Sequence, residues 1–141
     1  MSKSKTKRRY VYLMERVSQR EWKSIRQGRR EIKIGISNDT NERLKQVTKG
    51  IPGRFVLLDK FIVDSASKVE RQLQKMFDDH NFKAKGAKRG SGATELYRLK
   101  NRDIRHIRSI LRQKERRSMP KSMKILMIVL IAIIFYLNKC S

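Results

Sequence analysis

Acidic residues are scarce in this chain: Asp and Glu number 13 against 36 Lys and Arg, a formal charge of +23 over 141 residues. Such a charge repels itself and costs stability unless a polyanion neutralises it. Nucleic acid is the first partner to consider, because each neutralised phosphate releases counterions, with an anionic membrane surface as the alternative. Cysteine is nearly absent. Cys140 alone excludes an intrachain disulfide and fits a reducing compartment. The only histidines are His80 and His106; neither has a partner at zinc spacing, so a structural zinc site is excluded. No apolar stretch follows the basic start, which excludes a secretory signal. There is no internal repeat and no base-readout motif, so any nucleic-acid binding is expected to be backbone-driven and salt-dependent.

What is present reads as one small domain with extensions. Residues 1–9 form a basic arm expected to be disordered. The domain spans 10–99 and is expected to be α+β, with a small antiparallel sheet of three or four strands flanked by helices. Tyr10 to Glu15 predicts a strand. Arg16 to Arg30 is a basic loop or short helix anchored by Trp22 and Ile25. The alternation Ile32, Ile34, Ile36 predicts a second, antiparallel strand with one buried face. Gly35 interrupts it where backbone or ligand approaches closely. Asn38-Asp39-Thr40 can cap a helix running to Lys49, and Gly50 is placed for a left-handed C-cap.

A third strand is expected from Arg54 to Val63. A helix follows from Asp64 or Ser65, with Ala66, Val69, Leu73, Met76 and Phe77 at helical spacing. The Gly-rich segment Asn81 to Ala93 is expected to be a cationic loop, and Thr94 to Leu99 a last strand. Residues 100–120 are a basic helix and linker, with Ile104, Ile107, Ile110 and Leu111 as the apolar stripe. Lys83, Lys85, Lys88 and Arg89 in the loop, and Arg105 and Arg108 in the helix, are the candidate nucleic-acid contacts.

Residues 123–138 change character. The run Ile125 to Leu137 carries no charge, but as a helix it rises only about 20 Å against a hydrocarbon core of roughly 30 Å. A membrane anchor, a possible transmembrane helix with the rest of the chain on the cytoplasmic side, is expected from its flanking lysines. An interfacial helix, an oligomer contact and a buried strand are the alternatives.

Hydrolysis of a phosphodiester needs an activated oxygen nucleophile, charge stabilisation at phosphorus and usually a divalent metal. Glu70 borders the apolar face of its helix and is the best candidate ligand for a hard cation. Its bland reading is a surface glutamate paired with neighbouring polar residues. Tyr12 reads equally as a strand aromatic, Arg43 as a solvated charge, and Trp22 as a packed anchor.

The order Val11-Tyr12, Lys33-Ile34-Gly35, Arg43-Leu44, Glu70 and Glu95-Leu96-Tyr97 resembles the GIY-YIG nuclease superfamily over about Tyr10 to Leu99. The Lys-Ile-Gly second tripeptide and the Glu-Leu-Tyr element are similar to a divergent branch in phages, large viruses and fungi. The resemblance implies a metal-dependent endonuclease acting on DNA. Tyr12 would position or deprotonate the attacking water, Arg43 would steady the scissile phosphate, and Glu70 would bind Mg²⁺ or Mn²⁺. Lys33 replaces the usual tyrosine and would act as a phosphate contact or as a base. Val47 stands where many members carry a histidine or tyrosine, and Asn81 where a late asparagine falls. These departures keep open a second reading, a nucleic-acid-binding module of the same fold tethered to a membrane.

Overall fold

The computed structural model describes residues 9–17, 28–87, 95–118 and 121–139. The alternating apolar runs pair as β1 (Tyr10–Val17) and β2 (Arg29–Ser37), antiparallel, with Tyr12 opposite Gly35 and Leu13 opposite Ile34. On the other side of β1 lies β3 (Arg54–Ile62), with a register shift between Leu13 and Met14. Strand β5 (Leu96–Lys100) pairs with β2, and the two-residue β4 (Asn81–Phe82) pairs with β5. The order is β3-β1-β2-β5-β4. The helices are α1 (Thr40–Gly50), α2 (Ala66–Met76), α3 (Asn101–Ser118) and α4 (Lys121–Lys139). The expected α+β class holds, with five antiparallel strands.

Side chains alternate across the pleat, so each strand feeds two cores. Val11, Leu13, Ile32, Ile34, Tyr97 and Leu99 face one way and pack against Val69 and Leu73 of α2 and Ile104, Ile107 and Leu111 of α3. Tyr12, Met14 and Leu96 face the other way, under Val47 and Ile51 around α1 and under Ala84. The expectation that β2 has one buried face is corrected. Glu31 to Gly35 are all buried, since helices cover one side of the sheet and α1 with the segment after β4 covers the other. At the β3 edge, the Ile62 N–H donates to Glu115 Oε1 at 2.9 Å, and Ser118 Oγ donates to the Ile62 carbonyl at 3.1 Å. The end of α3 thereby satisfies a backbone pair that an edge strand leaves open.

Three further expectations change. Gly50 does not provide a left-handed cap: α1 ends in extended backbone at Ile51, whose N–H reaches the Val47 carbonyl at 2.9 Å. Asn81 and Phe82 form strand β4, not loop, because β5 offers them a free edge. The apolar tail forms helix α4 with its described side chains exposed, but among the described residues no helix is long and apolar enough to cross a membrane. The thirteen-residue uncharged run is too short for that. Trp22, Ile25, Lys88, Arg89, Cys140 and the arm up to Arg8 lie outside the described residues.

Candidate active site

Strand β5 begins at Leu96, opposite Lys33, so among the described residues β2 from Ile34 to Ser37 has no strand neighbour on that edge. This end of the sheet, from Lys33 to Ile36, is the notch to which side chains of both layers come. An edge N–H there needs another partner. The carboxylate of Glu70 accepts the N–H of Ile36.

Each side chain at the notch arrives by a local cause. Asp39 caps α1, its Oδ1 accepting the N–H groups of Asn41 at 2.9 Å and Glu42 at 3.0 Å. Val47 anchors α1 in the core, and Arg43, one helical turn earlier, falls over the β1–β2 pair. Its Nε donates to Tyr12 Oη at 3.3 Å and its Nη1 to Gln46 Oε1 at 3.2 Å. Helix α2 enters through Ser65, held at φ 55°, a left-handed conformation that a non-glycine residue adopts only when the surroundings enforce it. Val69 and Leu73 then fix α2 against the sheet, and Glu70 is left half-buried at the end of β2.

Gly35 has a specific reason. A Cβ there would stand 2.4 Å from Tyr12 Oη and 2.6 Å from Tyr12 Cζ. The close approach expected at this glycine is that of the Tyr12 ring. Lys33 lies on the same face as Tyr12, fully buried, with Nζ 2.6 Å from Glu95 Oε2. Glu95 is 31% exposed, so the pair runs from the core out to the notch.

The electrostatics follow from burial and from the mix of charges. Burial holds the Tyr12 hydroxyl above its ordinary pKa, and the Arg43 hydrogen bond only partly offsets this. Burial pushes the Lys33 ammonium down, opposed by Glu95. The Glu70 carboxyl is raised, first by burial and then by the charge of Glu95, against Lys33, the Ile36 N–H and Arg43. Tyr97, on the helical side of the sheet, is also raised by burial, against a hydrogen bond from Asn81. These four titratable groups thus sense one another through Glu95. Arg43 can offer a guanidinium to a phosphate, and Glu70 can offer a hard oxygen to a cation. Among the described residues no three His, Cys, Asp or Glu side chains gather into a metal-binding group. One carboxylate suits Mg²⁺, which keeps several waters and takes substrate phosphate as a ligand.

The structure thus brings Tyr12, Lys33, Gly35, Arg43 and Glu70 together. Lys83 and Lys85 are exposed on either side of Ala84, which packs on the Tyr12 face. Arg105 and Arg108 lie elsewhere. They belong to α3, across the sheet, and Arg108 pairs with Asp59 at 2.7 Å. Val47 is fully buried and has no part in the site. Asn81 stands beside Tyr97 at the margin. Sequence reasoning missed Glu95 as the partner of Lys33. Its signal was present: it is the only acidic residue between Asp79 and Asp103, in an otherwise basic stretch.

Neither the curated proteins nor the solved structures offer a match to the chain. The family model described as the T5orf172 domain matches residues 9–112, from the start of β1 to just past Leu111, the last α3 residue in the core. The chain belongs to the T5orf172 domain family, a domain found in phage and viral proteins and associated with nuclease-type folds.

Proposed function

We propose that this chain is a DNA endonuclease of the GIY-YIG type, hydrolysing a phosphodiester with a divalent metal. The observation that carries this reading is the convergence of Tyr12, Lys33, Arg43 and Glu70, from four separate elements, on the notch at the Gly35–Ile36 end of β2. Arg43 supplies fixed positive charge for the scissile phosphate. Tyr12, held neutral by burial, positions the attacking water through its hydroxyl; Lys33, its ammonium weakened by burial, is the better proton acceptor. Glu70 is the residue to hold Mg²⁺ or Mn²⁺, and the ion would supply charge stabilisation at the leaving oxygen. Lys83 and Lys85, on the same face, fit contacts to flanking phosphates.

A second reading, binding without cleavage, is favoured by one observation. Lys33 is fully buried and clamped by Glu95, which restricts its access to substrate. The two readings separate on nicking of supercoiled DNA with Mg²⁺ or EDTA, beside Glu70→Ala. A metal-dependent nick lost in the variant supports the nuclease; DNA binding with no nick supports the module. The exposed apolar residues of α4 support attachment at a membrane surface, and flotation of the full chain with lipid vesicles tests this.

A further inference from the structure

Helix α3 uses up its apolar residues on the sheet. Ile104, Ile107 and Leu111 are buried and Ile110 packs partly against the same core. Its other side carries Arg105, Arg108, Arg112, Arg116 and Arg117, which line a shallow groove of about 790 Å³. Arg105, Arg108, Arg112 and Arg116, spaced three and four apart with Arg117 beside the last, form a stripe about 16 Å long, at 1.5 Å of rise per residue. Asp59 holds Arg108. Among the described residues no carboxylate pairs with Arg105, Arg112 or Arg116, all exposed.

The position of this stripe matters more than its charge. Helix α3 packs on the face of β1 that carries Val11 and Leu13, whereas Tyr12 and Lys33 lie on the opposite face. A duplex lying in the notch meets Lys83 and Lys85; the outward arginines of α3 point away from it, across the sheet. An interfacial membrane helix needs an apolar face free to enter lipid. The apolar face of α3 is already buried in the core, which favours the backbone of a nucleic acid, gripped by guanidinium groups.

We propose that the arginine stripe of α3 is a second nucleic-acid-binding surface, independent of the notch, so that one copy of the chain holds two segments at once. The inference rests on the reading of the notch as a nucleic-acid site, and the test separates the two. Native mass spectrometry of the full chain with two short DNA duplexes of different mass counts duplexes per chain. The variants are Arg105→Ser/Arg112→Ser/Arg116→Ser for the stripe and Arg43→Ser for the notch; circular dichroism checks that each keeps its fold.

The expected result is one chain with two duplexes, reduced to one in either variant. In titrations, the stripe variant should lose about three from the slope of log affinity against log salt, roughly 0.9 for each phosphate contact removed. One duplex per chain, lost with the stripe but kept in Arg43→Ser, upholds the stripe and refutes the notch reading. One duplex lost only in Arg43→Ser, or lost in either variant, overturns the proposal, the latter by showing one continuous surface. Unchanged DNA binding in the stripe variant with lost binding to phosphatidylserine vesicles also overturns it and makes the surface one for lipid.

Discussion

The hydroxyl of Tyr12 fills the space in which a side chain at Gly35 would begin, 2.4 Å from the position of its Cβ. The glycine and the tyrosine are cross-strand partners, and the end of the ring occupies the space that a side chain at the glycine would take. Gly35→Ala must displace a ring that is fully buried, at a cost of about 1–3 kcal/mol. Tyr12→Leu removes the obstacle. A double-mutant cycle by denaturant unfolding should show strong coupling, with Gly35→Ala nearly neutral in the Tyr12→Leu background. Additive effects would mean that the ring is not the reason for the glycine.

Lys33 and Glu95 make the second prediction. Lys33→Met keeps the length of the side chain and removes a buried charge, so folding stability should stay level or rise. Activity should fall, since the proton acceptor is lost. Glu95→Gln leaves the buried ammonium without its carboxylate, and because Glu95 is partly exposed, about 1–3 kcal/mol is the expected loss. Thermal unfolding and nicking rates on the two variants check this; a Lys33→Met protein that nicks at the wild-type rate would remove Lys33 from the mechanism.

The raised carboxyl of Glu70 gives a pH dependence with a definite sign. The fold favours its protonated form, so its contribution to stability is present in acid and is lost as pH rises through the raised pKa. Glu70→Gln should therefore be more stable than wild type at neutral pH, with the gap closing in acid. Metal binding needs the ionised form, so nicking should rise with pH across that same raised pKa. Melting curves and rates between pH 4 and pH 8, on the order of the carboxylate-to-histidine span, check both. A Glu70→Gln protein less stable than wild type at neutral pH would contradict the assignment.

Much of the sheet is legible in the sequence because alternation is a direct print of the pleat: Val11 and Leu13 against Tyr12, Ile32 and Ile34 against Lys33. The helical stripes Val69–Leu73 and Ile104–Ile107–Leu111 are legible for the same reason at a different period. The order of Tyr12, Lys33, Arg43 and Glu70 marks the candidate site. Other features depend on contacts distant in sequence. A two-residue strand at Asn81–Phe82 has no period to read and exists because β5 leaves an edge. Lys33 looks like the polar side of a half-buried strand until α1 and the segment at Ala84 cover that face. Its partner Glu95 lies 62 residues away. Periodicity places Ile104 and Ile107 inward but does not tell which side of the sheet α3 takes, and so does not separate Arg105 and Arg108 from the notch.

The most direct test of the central claim is nicking of supercoiled plasmid by the full chain with Mg²⁺ or Mn²⁺, beside EDTA and beside Glu70→Ala. The notch as a nuclease site predicts relaxed plasmid with either metal, none with EDTA, and at least a hundredfold slower reaction in Glu70→Ala, on the order of losing a charge-stabilising catalytic group. Wild type and Glu70→Ala that both shift the plasmid at low salt, and neither of which nicks it, would contradict the account and leave a nucleic-acid-binding module.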